Sequence, residues 1–543
     1  MALGRLPLLL LVNGNLHTME PDAPHATALA IDRGSGRLLA VGDDAEIRAL
    51  AGPLTETLDL RGRTVLPGFI DAHTHLMGYA QARLDVDLRD APSEEEAVAR
   101  VRARAERTPP GGWIFGRSWD KTRWPGQRFP SRAALDAAVP DHPVALSSHD
   151  FHSLWVNSAA LRRAGITRAT ADPGGGRIGR DAAGEPDGLL FEGDAMALVE
   201  DIATPADDET LLAELRRILA ELHSRGLTGV HNIEGDRSLR LMQRLRAERA
   251  LTARVLLYLP RPVLPDAVRL GLQAGFGDDV LRFAGIKIFM DGALGSQTAA
   301  MLDPYEGQPG NRGLLTTSEP EIEQAVREAA GGGIGMAIHA IGDRAVHTAL
   351  DGIEAALRQR AGQPGAERLP VRFRLEHVQL ATEADIGRMA RLGVVGSVQP
   401  FHAVVDRPAA ERYWGARHRR AYAYETMRQS GVRLAFGSDV PVDTPDPLRI
   451  LHAAINRTDD AVAGQTPWLP HQALTVAQAL WAYTLGAAYA GGQEAHQGSL
   501  APGKLADLIV LAEDPFTLPK ERIAGAHIAA TLVGGELVHG TLA

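Results

Sequence analysis

The rhythm of apolar and polar positions changes twice along the chain. Between residues 7 and 65, short apolar runs are punctuated by turn residues: LLLLV and NLHTM about Asn13-Gly14, then ALAID and RLLAVG about Gly34-Ser35-Gly36. The far end has the same texture, with ADLIVLAED followed by AATLV and ELVHG about Gly534-Gly535. Runs of this length bounded by Asn-Gly or Gly-rich pairs predict strands joined by tight turns. Two strand-rich ends flanking a long middle predict a small composite β-sandwich, built from residues 1–65 and 491–543.

The middle, residues 66–490, alternates apolar runs with helical stretches. Eight runs qualify as strands: TVLPGFIDAHTH, LTGVHNI, ARVLLYLP, FAGIKIFMDG, GMAIHAIGD, VRFRLEHVQL, GVVGSVQP and VRLAFGSDVP. Helical segments such as LLAELRRILAELHSRG and PEIEQAVREAAGGG separate most of them. Alternation of this kind predicts a parallel sheet covered by helices, and eight units closing on themselves make a (β/α)8 barrel of the α/β class. One gap breaks the pattern. The chain from His75 to Leu227 is too long for a structureless loop, and it carries helix and strand patterns of its own. It predicts an inserted subdomain at about residues 80–225, placed over the barrel mouth if it leaves the C-terminal end of the first strand.

Composition narrows the function classes. The 543 residues are 45% hydrophobic and 23% charged, an ordinary globular balance for a large domain with an appendage or for two domains. A net charge of −10 argues against a nucleic-acid partner, which selects a basic face. With no cysteine, disulfides and thiolate metal sites are excluded, and a cytoplasmic location is expected. Leu6 to Val12 has one Arg before it and no small-residue cleavage site after it, so it reads as a strand rather than a signal-peptide core. No apolar run approaches the ~20 residues of a membrane span. A small-molecule substrate, and room for a homodimer, complete the expectation.

Polar residues at the ends of the predicted strands carry the chemistry. In a (β/α)8 barrel the C-terminal strand ends form the active face. His73 and His75 end the first strand, and residues i and i+2 of a strand point the same way, so both imidazoles can reach one cation. His339 ends the fifth strand, His377 the sixth and Asp439 the eighth. Lys287 lies inside the apolar run Phe283 to Met290, where an ammonium must be paired or neutralised. One solution is a salt bridge to nearby Asp291. The other is carbamylation by CO2, which turns the cation into a carboxylate long enough to bridge two metals. Asp439 in FGSDVP can touch a metal and accept a proton, or it can cap a helix. Imidazole and carboxylate donors without Cys suit Zn2+.

At this point PGFIDAHTH, IKIFMDG, AIHAIGD, LEHV and FGSDVP resemble the five ligand-bearing segments of the amidohydrolase superfamily, in order. GSLAPGKLADLIVL resembles its return into the terminal sandwich. IKIFMDGALGSQTA, HAIGDRAV and HDFHSLWVNSAAL more narrowly resemble the third amidohydrolase subfamily, which includes N-substituted formamide deformylases. The resemblance implies that His73, His75 and Asp439 hold one divalent metal and that His339 and His377 hold a second. It implies a carbamylated Lys287 (N6-carboxylysine) bridging the two, although some members use one ion only. It implies hydrolysis of a C–N bond by metal-activated water, with Asp439, His377 and Lys287 as catalytic groups. An N-substituted formamide or N-acyl amine is the expected substrate. A cyclic amide, lactone or ester can be served by the same centre, and a non-catalytic barrel scaffold is the remaining alternative. His152, Trp155, Asn157 and Glu192 match subfamily positions and are candidate substrate residues, as is His231 at the end of the second strand. Each can equally pack its surroundings. Asp71 and Asp343 are the expected partners that orient the ligand imidazoles, although Asp343 can equally cap a helix.

Overall fold

Eight parallel strands form the body that carries the site: β1 (Phe69–Thr74), β2 (Leu227–Ile233), β3 (Arg254–Pro260), β4 (Leu281–Phe289), β5 (Gly335–Ala340), β6 (Phe373–His377), β7 (Val395–Val398) and β8 (Leu434–Phe436). They pair in sequence order, all parallel. The first and last meet through a parallel bridge between Thr74 and Val440, and the Asp439 N–H donates to the His73 carbonyl at 2.8 Å. The sheet thus curls into an eight-stranded α/β barrel. The structure is a computed structural model that describes residues 7–148, 153–173, 176–191, 193–203, 206–359 and 371–542.

Local sequence explains these elements. Parallel strands covered on both faces need continuous apolar runs, and every residue of β1, β2 and β6 is buried. The helix Asp343–Gln359 between β5 and β6 buries Val346, Ala349, Leu350 and Ile353, whose three- and four-residue spacing makes one apolar face. Ahead of β5, the helix Glu319–Gly331 starts with a reciprocal capping box between Ser318 and Glu321, with Pro320 in the first turn.

The chain divides into two compact units, Met1–Leu76 with Arg216–Ala543, and Met77–Leu215. Besides the barrel, the first unit holds two further sheets. One joins Arg37–Gly42, Ala28–Asp32, Leu8–Val12 and Glu56–Asp59. The other joins Glu536–Gly540, Ile528–Val533, Leu508–Leu511, Thr64–Pro67, Asn15–His17 and His25–Ala26, so it draws on both ends of the chain. Leu9, Leu11, Leu29 and Ile31 from the first sheet share a core with Val65, Leu508, Val510 and Leu532 from the second.

Two local expectations need correction. Asn13-Gly14 does not turn a hairpin. Leu8–Val12 and Asn15–His17 belong to different sheets, so the pair marks a crossing between them. The run TVLPGFIDAHTH is two strands, one in each sheet system, broken at Gly68. A Cβ at Gly68 would lie 2.2 Å from the Thr228 side chain, which is why the break falls on a glycine.

The second unit is built on its own six-stranded sheet, in the order Arg177–Arg180, Pro186–Phe191, Ser153–Val156, Val144–Ser148, Ile114–Trp119, Val86–Asp87. Trp119, Trp124 and Trp155 meet in its core with ring centroids 5.9 to 6.3 Å apart. None of the helices among the described residues is long and apolar enough to cross a membrane.

Candidate metal centre

At the C-terminal end of the barrel strands lies a cavity of about 360 Å3. His73, His75, Lys287, His339, His377 and Asp439 all line it. Six residues spread from β1 to the segment after β8 therefore converge because they lie at or near the C-terminal ends of five parallel strands.

Hydrogen bonds decide which ring nitrogen of each imidazole faces the cavity. His73 Nδ1–H donates to Glu376 Oε2 at 2.6 Å, and its Nε2 lies 3.5 Å from Asp439 Oδ1. His75 Nδ1–H donates to the Ile233 carbonyl at 2.7 Å, leaving Nε2 3.0 Å from the same Oδ1. His377 Nδ1–H donates to Gln399 Oε1 at 2.8 Å. With Nδ1 occupied in all three, Nε2 is the free donor atom, and the partner at Nδ1 fixes tautomer and ring angle. Ligand atoms of His73, His75 and Asp439 all lie within 4.8 Å of one another, as do those of His377, His402 and Asp439.

Electrostatics favours the same species. Burial, reinforced by Lys287, lowers the His73 imidazole to about 4 and the His339 imidazole to about 3. Burial and the neighbouring His339 hold His377 well below its usual value. These rings are neutral at physiological pH, the form that ligates a cation. For Asp439, burial alone would raise the carboxyl, but His73, His75, His377 and His402 outweigh it and keep the group ionised. An ionised carboxylate beside the neutral imidazoles of His73 and His377, with one buried nitrogen (His402 Nε2) left without a hydrogen bond, fits a divalent ion well.

Backbone strain coincides with the same residues. His377, Val378 and Asp439 have φ of 73°, 44° and 60°. Non-glycine residues hold such angles only where the surroundings impose them, and they gather at functional sites. Gly437 permits the approach of β8 to β1: a Cβ there would lie 2.6 Å from the His73 nitrogen.

A profile of the amidohydrolase family matches residues 56–539, nearly the whole chain. The chain belongs to the amidohydrolase family. The Arabidopsis thaliana protein LONG AFTER FAR-RED 3 is 32% identical over 549 residues, covering 98% of this chain and 91% of that protein. The N-substituted formamide deformylase of Arthrobacter pascens is 31% identical over 559 residues, covering 97% of this chain and 98% of that enzyme. Among solved structures, a metal-dependent hydrolase of Pyrococcus furiosus superposes with a TM-score of 0.78 at 28% identity, covering 94% of this chain and 100% of that one. This amidohydrolase is accordingly a metal-dependent hydrolase of carbon–nitrogen bonds.

The other sequence candidates among the described residues lie elsewhere. His152 and Glu192 fall outside the described residues. Trp155 is fully buried in the core of its own unit and donates Nε1–H to the Ser131 carbonyl. Asn157 caps the helix Ser158–Arg163 through the Ala160 N–H, accepts the Val144 N–H and donates to the Val139 and His142 carbonyls. Its amide is spent on structure, with nothing left for a substrate. His231 is no pocket residue either. It is buried beside Tyr258, with Arg374 Nη1–H donating to its Nδ1 at 2.7 Å.

Asp71 and Asp343 do not orient imidazoles. Asp71 accepts the backbone N–H groups of His73 and Ser438, tying β1 to the end of β8. Asp343 opens its helix and accepts the Leu302 N–H and the Arg420 guanidinium. Asp291, the proposed salt-bridge partner of Lys287, instead accepts the N–H groups of Ala300, Ile341 and Gly342.

Sequence reasoning missed Glu376, Gln399, His402 and Asp443. A signal existed for the first three. Arg374 and Glu376 alternate in a buried strand, as only a satisfied pair can, and SVQPFH places Gln399 and His402 at the end of strand seven. Arg374 and Glu376 are both fully buried and ion-paired. Removing one charge of such a pair strands the other. Glu376→Gln should therefore cost about 3–5 kcal/mol of stability, by the usual penalty for breaking a buried pair. A denaturant midpoint unchanged from wild type would refute it.

Proposed function

We propose that this amidohydrolase cleaves the amide bond of an N-substituted formamide or a small N-acyl amine, releasing formate or a short acid and an amine. The observation that supports it most is the convergence of His73, His75 and His377 Nε2 atoms and the Asp439 carboxylate on one cavity. Similarity to the deformylase over 97% of this chain directs the choice of acyl group.

His73, His75, His339, His377 and Asp439 are the residues to hold one or two divalent ions, Zn2+ by donor type. Such an ion, when bound, polarises a carbonyl and brings a water to ionise near neutral pH. The protein supplies the rest. Asp439 Oδ1 faces His75 and Oδ2 faces His402, so the carboxylate reaches both sides of the centre. It takes the proton of the attacking water and delivers it to the leaving nitrogen, without which the amine would depart as an anion. Lys287 is 4% exposed, with Nζ 3.4 Å from His73 Nε2. Its ammonium would lose one proton, and the free amine would add to CO2 and lose a second, forming a carbamate. That would replace a buried cation with an anion able to help hold a divalent ion.

The rim of the cavity sets the substituent. Phe289, Val405 and Val442 line it and are 50%, 51% and 61% exposed, while Asp406 and Asp443 supply negative charge. An apolar or cationic amine side fits this wall, and a free carboxylate is repelled by it. The zinc-loaded protein should therefore turn over N-benzyl- and N-alkylformamides with kcat/KM at least about tenfold above matched N-formyl amino acids, one 1.4 kcal/mol step. A panel adding cyclic amides, lactones and aryl esters tests the bond class. Preference for the formyl amino acids, or for a lactone, would sink this reading.

A further inference from the structure

We propose that Asp406 and Gln379 form a cation subsite in the wall of this cavity, and that the substrate is an N-acylated diamine, with the amide at one end of a short chain and an ammonium at the other. The proposal rests on the reading of the cavity as an amide-cleaving centre, and narrows its substrate to an amine that carries a second, charged nitrogen.

Among the described residues that line the cavity are three carboxylates, Asp406, Asp439 and Asp443, and no arginine; apart from the histidines, Lys287 is the one basic side chain. Asp439 faces the histidine nitrogens, and Asp443 Oδ2 lies 3.3 Å from His402 Nε2. Asp406 is held differently. It follows the short helix Pro400–Val405, and the Tyr422 O–H donates to its Oδ2 at 2.6 Å, as Gln379 Nε2–H does at 3.3 Å. Tyr422 is buried, and burial together with Asp406 holds its hydroxyl well above the usual value, so it remains a donor. Both bonds end on Oδ2, which leaves Oδ1 to accept from another partner. Gln379 is an independent sign of a ligand. It is 4% exposed and lines the cavity, and its Oε1 is buried without a hydrogen bond. Exchanging its amide oxygen and nitrogen would set oxygen against the Asp406 carboxylate, so the acceptor is assigned by its neighbour. Buried polar atoms almost always have a partner, and an acceptor without one, beside a carboxylate, calls for N–H groups from outside the chain. An ammonium brings three of them together with the opposite charge.

The backbone is bent to place these groups. His377 and Val378, at φ 73° and 44°, turn the chain as it leaves β6 and bring Gln379 to the cavity. Tyr422, at φ 49°, is fixed by its N–H to the Gln379 carbonyl at 2.8 Å. Three strained non-glycine residues around one set of side chains fit a site held in shape. The distance to the reacting bond follows from the helix. The Asp406 N–H donates to the His402 carbonyl at 2.8 Å, so these residues stand one helical turn, about 5.4 Å, apart. His402 Nε2 is in turn 3.8 Å from Asp439 Oδ2. One imidazole and one turn thus separate the subsite from the carboxylate that serves the leaving nitrogen, which is room for a chain of a few methylenes. Val405 and Val442 give that chain an apolar wall.

The test compares two substrates on the metal-loaded full-length protein. N-(4-aminobutyl)formamide and N-pentylformamide differ only in an ammonium against a methyl group. The wild type should favour the first in kcat/KM by at least about tenfold, the least expected of a hydrogen bond to a charged group. In Asp406→Asn the ratio should fall to about one. In Gln379→Met, which keeps the side-chain length and removes the unpaired oxygen, it should fall by at least about threefold. A wild-type ratio near one, or a ratio that survives in Asp406→Asn, overturns the subsite and leaves the hydrolase reading standing. Should no formamide be turned over, the amide reading fails and the subsite is read by binding instead. Pentylammonium, followed by calorimetry, should then bind the wild type at least about tenfold more tightly than Asp406→Asn, while pentanol binds the two alike. Equal binding of pentylammonium by the two proteins overturns the proposal. If Asp406→Asn fails to fold, Gln379→Met carries both comparisons, and wild-type values in that variant count against the subsite.

Discussion

Asp439→Asn should lower kcat by about 10^2–10^4-fold, the range for loss of a general acid–base group, while the chain stays folded and still takes up metal. Asn is chosen for two physical reasons. The residue sits at φ 60°, a region that Asn enters more readily than most side chains. Its amide oxygen is also a neutral copy of Oδ1, the atom that faces His73 and His75. What disappears is the proton acceptor. Since the attacking water cannot then pass its proton to the leaving nitrogen, kcat and kcat/KM should fall together, the mark of an interaction made only in the transition state. Stopped assays on an N-alkylformamide, with metal content measured on the same sample, separate this from simple loss of the ion. Turnover near wild type would remove Asp439 from the proton path.

The barrel was legible because its rule is periodic. Eight apolar runs separated by helical segments admit few parallel architectures, and the rule that polar residues gather near the ends of such strands led to six of the residues that line the cavity. The same rule fell short where sequence neighbours mislead. Gln399 and His402 follow β7 in SVQPFH, where the apolar run itself carries no imidazole or carboxylate to mark the strand end. Glu376 adjoins His377 in sequence, yet its partner is His73, three hundred positions earlier and visible only once β6 and β1 share a barrel interior. His231 failed for the opposite reason. It lies on a barrel strand as His73 does, but its ring turns to Arg374. Asn157 illustrates a third limit: a capping amide and a substrate-binding amide look alike until the hydrogen bonds are counted.

Arg374 connects these failures. Its guanidinium reaches the Glu376 carboxylate, the Ala72 carbonyl, the Ser397 hydroxyl and the His231 ring. Burial by itself would raise the Glu376 carboxyl, but Arg374 and His73 hold it well below the usual range. The ionised carboxylate then accepts His73 Nδ1–H. Four strands, β1, β2, β6 and β7, are thereby connected beneath the cavity, and the aim of His73 depends on this buried charge pair. Such an arrangement explains why a buried pair with a high desolvation cost is present at all.

Lys287→Ala should be the most damaging change after Asp439→Asn. A carbamate at Lys287 would hold the ions that stabilise developing negative charge by several kcal/mol, so its removal should cost about 10^3-fold in kcat. The argument is geometric. Lys287 rises from β4 between Ile286 and Ile288, both fully or almost fully buried, and ends 3.4 Å from His73 Nε2. An unmodified ammonium there would repel the ion that His73, His75 and Asp439 are arranged to hold. A carbamate reverses that sign. Two measurements follow from the difference. Short carboxylates such as formate or acetate should restore part of the activity of Lys287→Ala, since they fit the space the side chain vacates and carry the missing charge. Metal-free wild type should regain activity on adding Zn2+ only when bicarbonate is present. If Lys287→Ala stays inert with every short acid, and the wild type recovers equally well in bicarbonate-free buffer, Lys287 acts as an amine and the second ion needs another bridge.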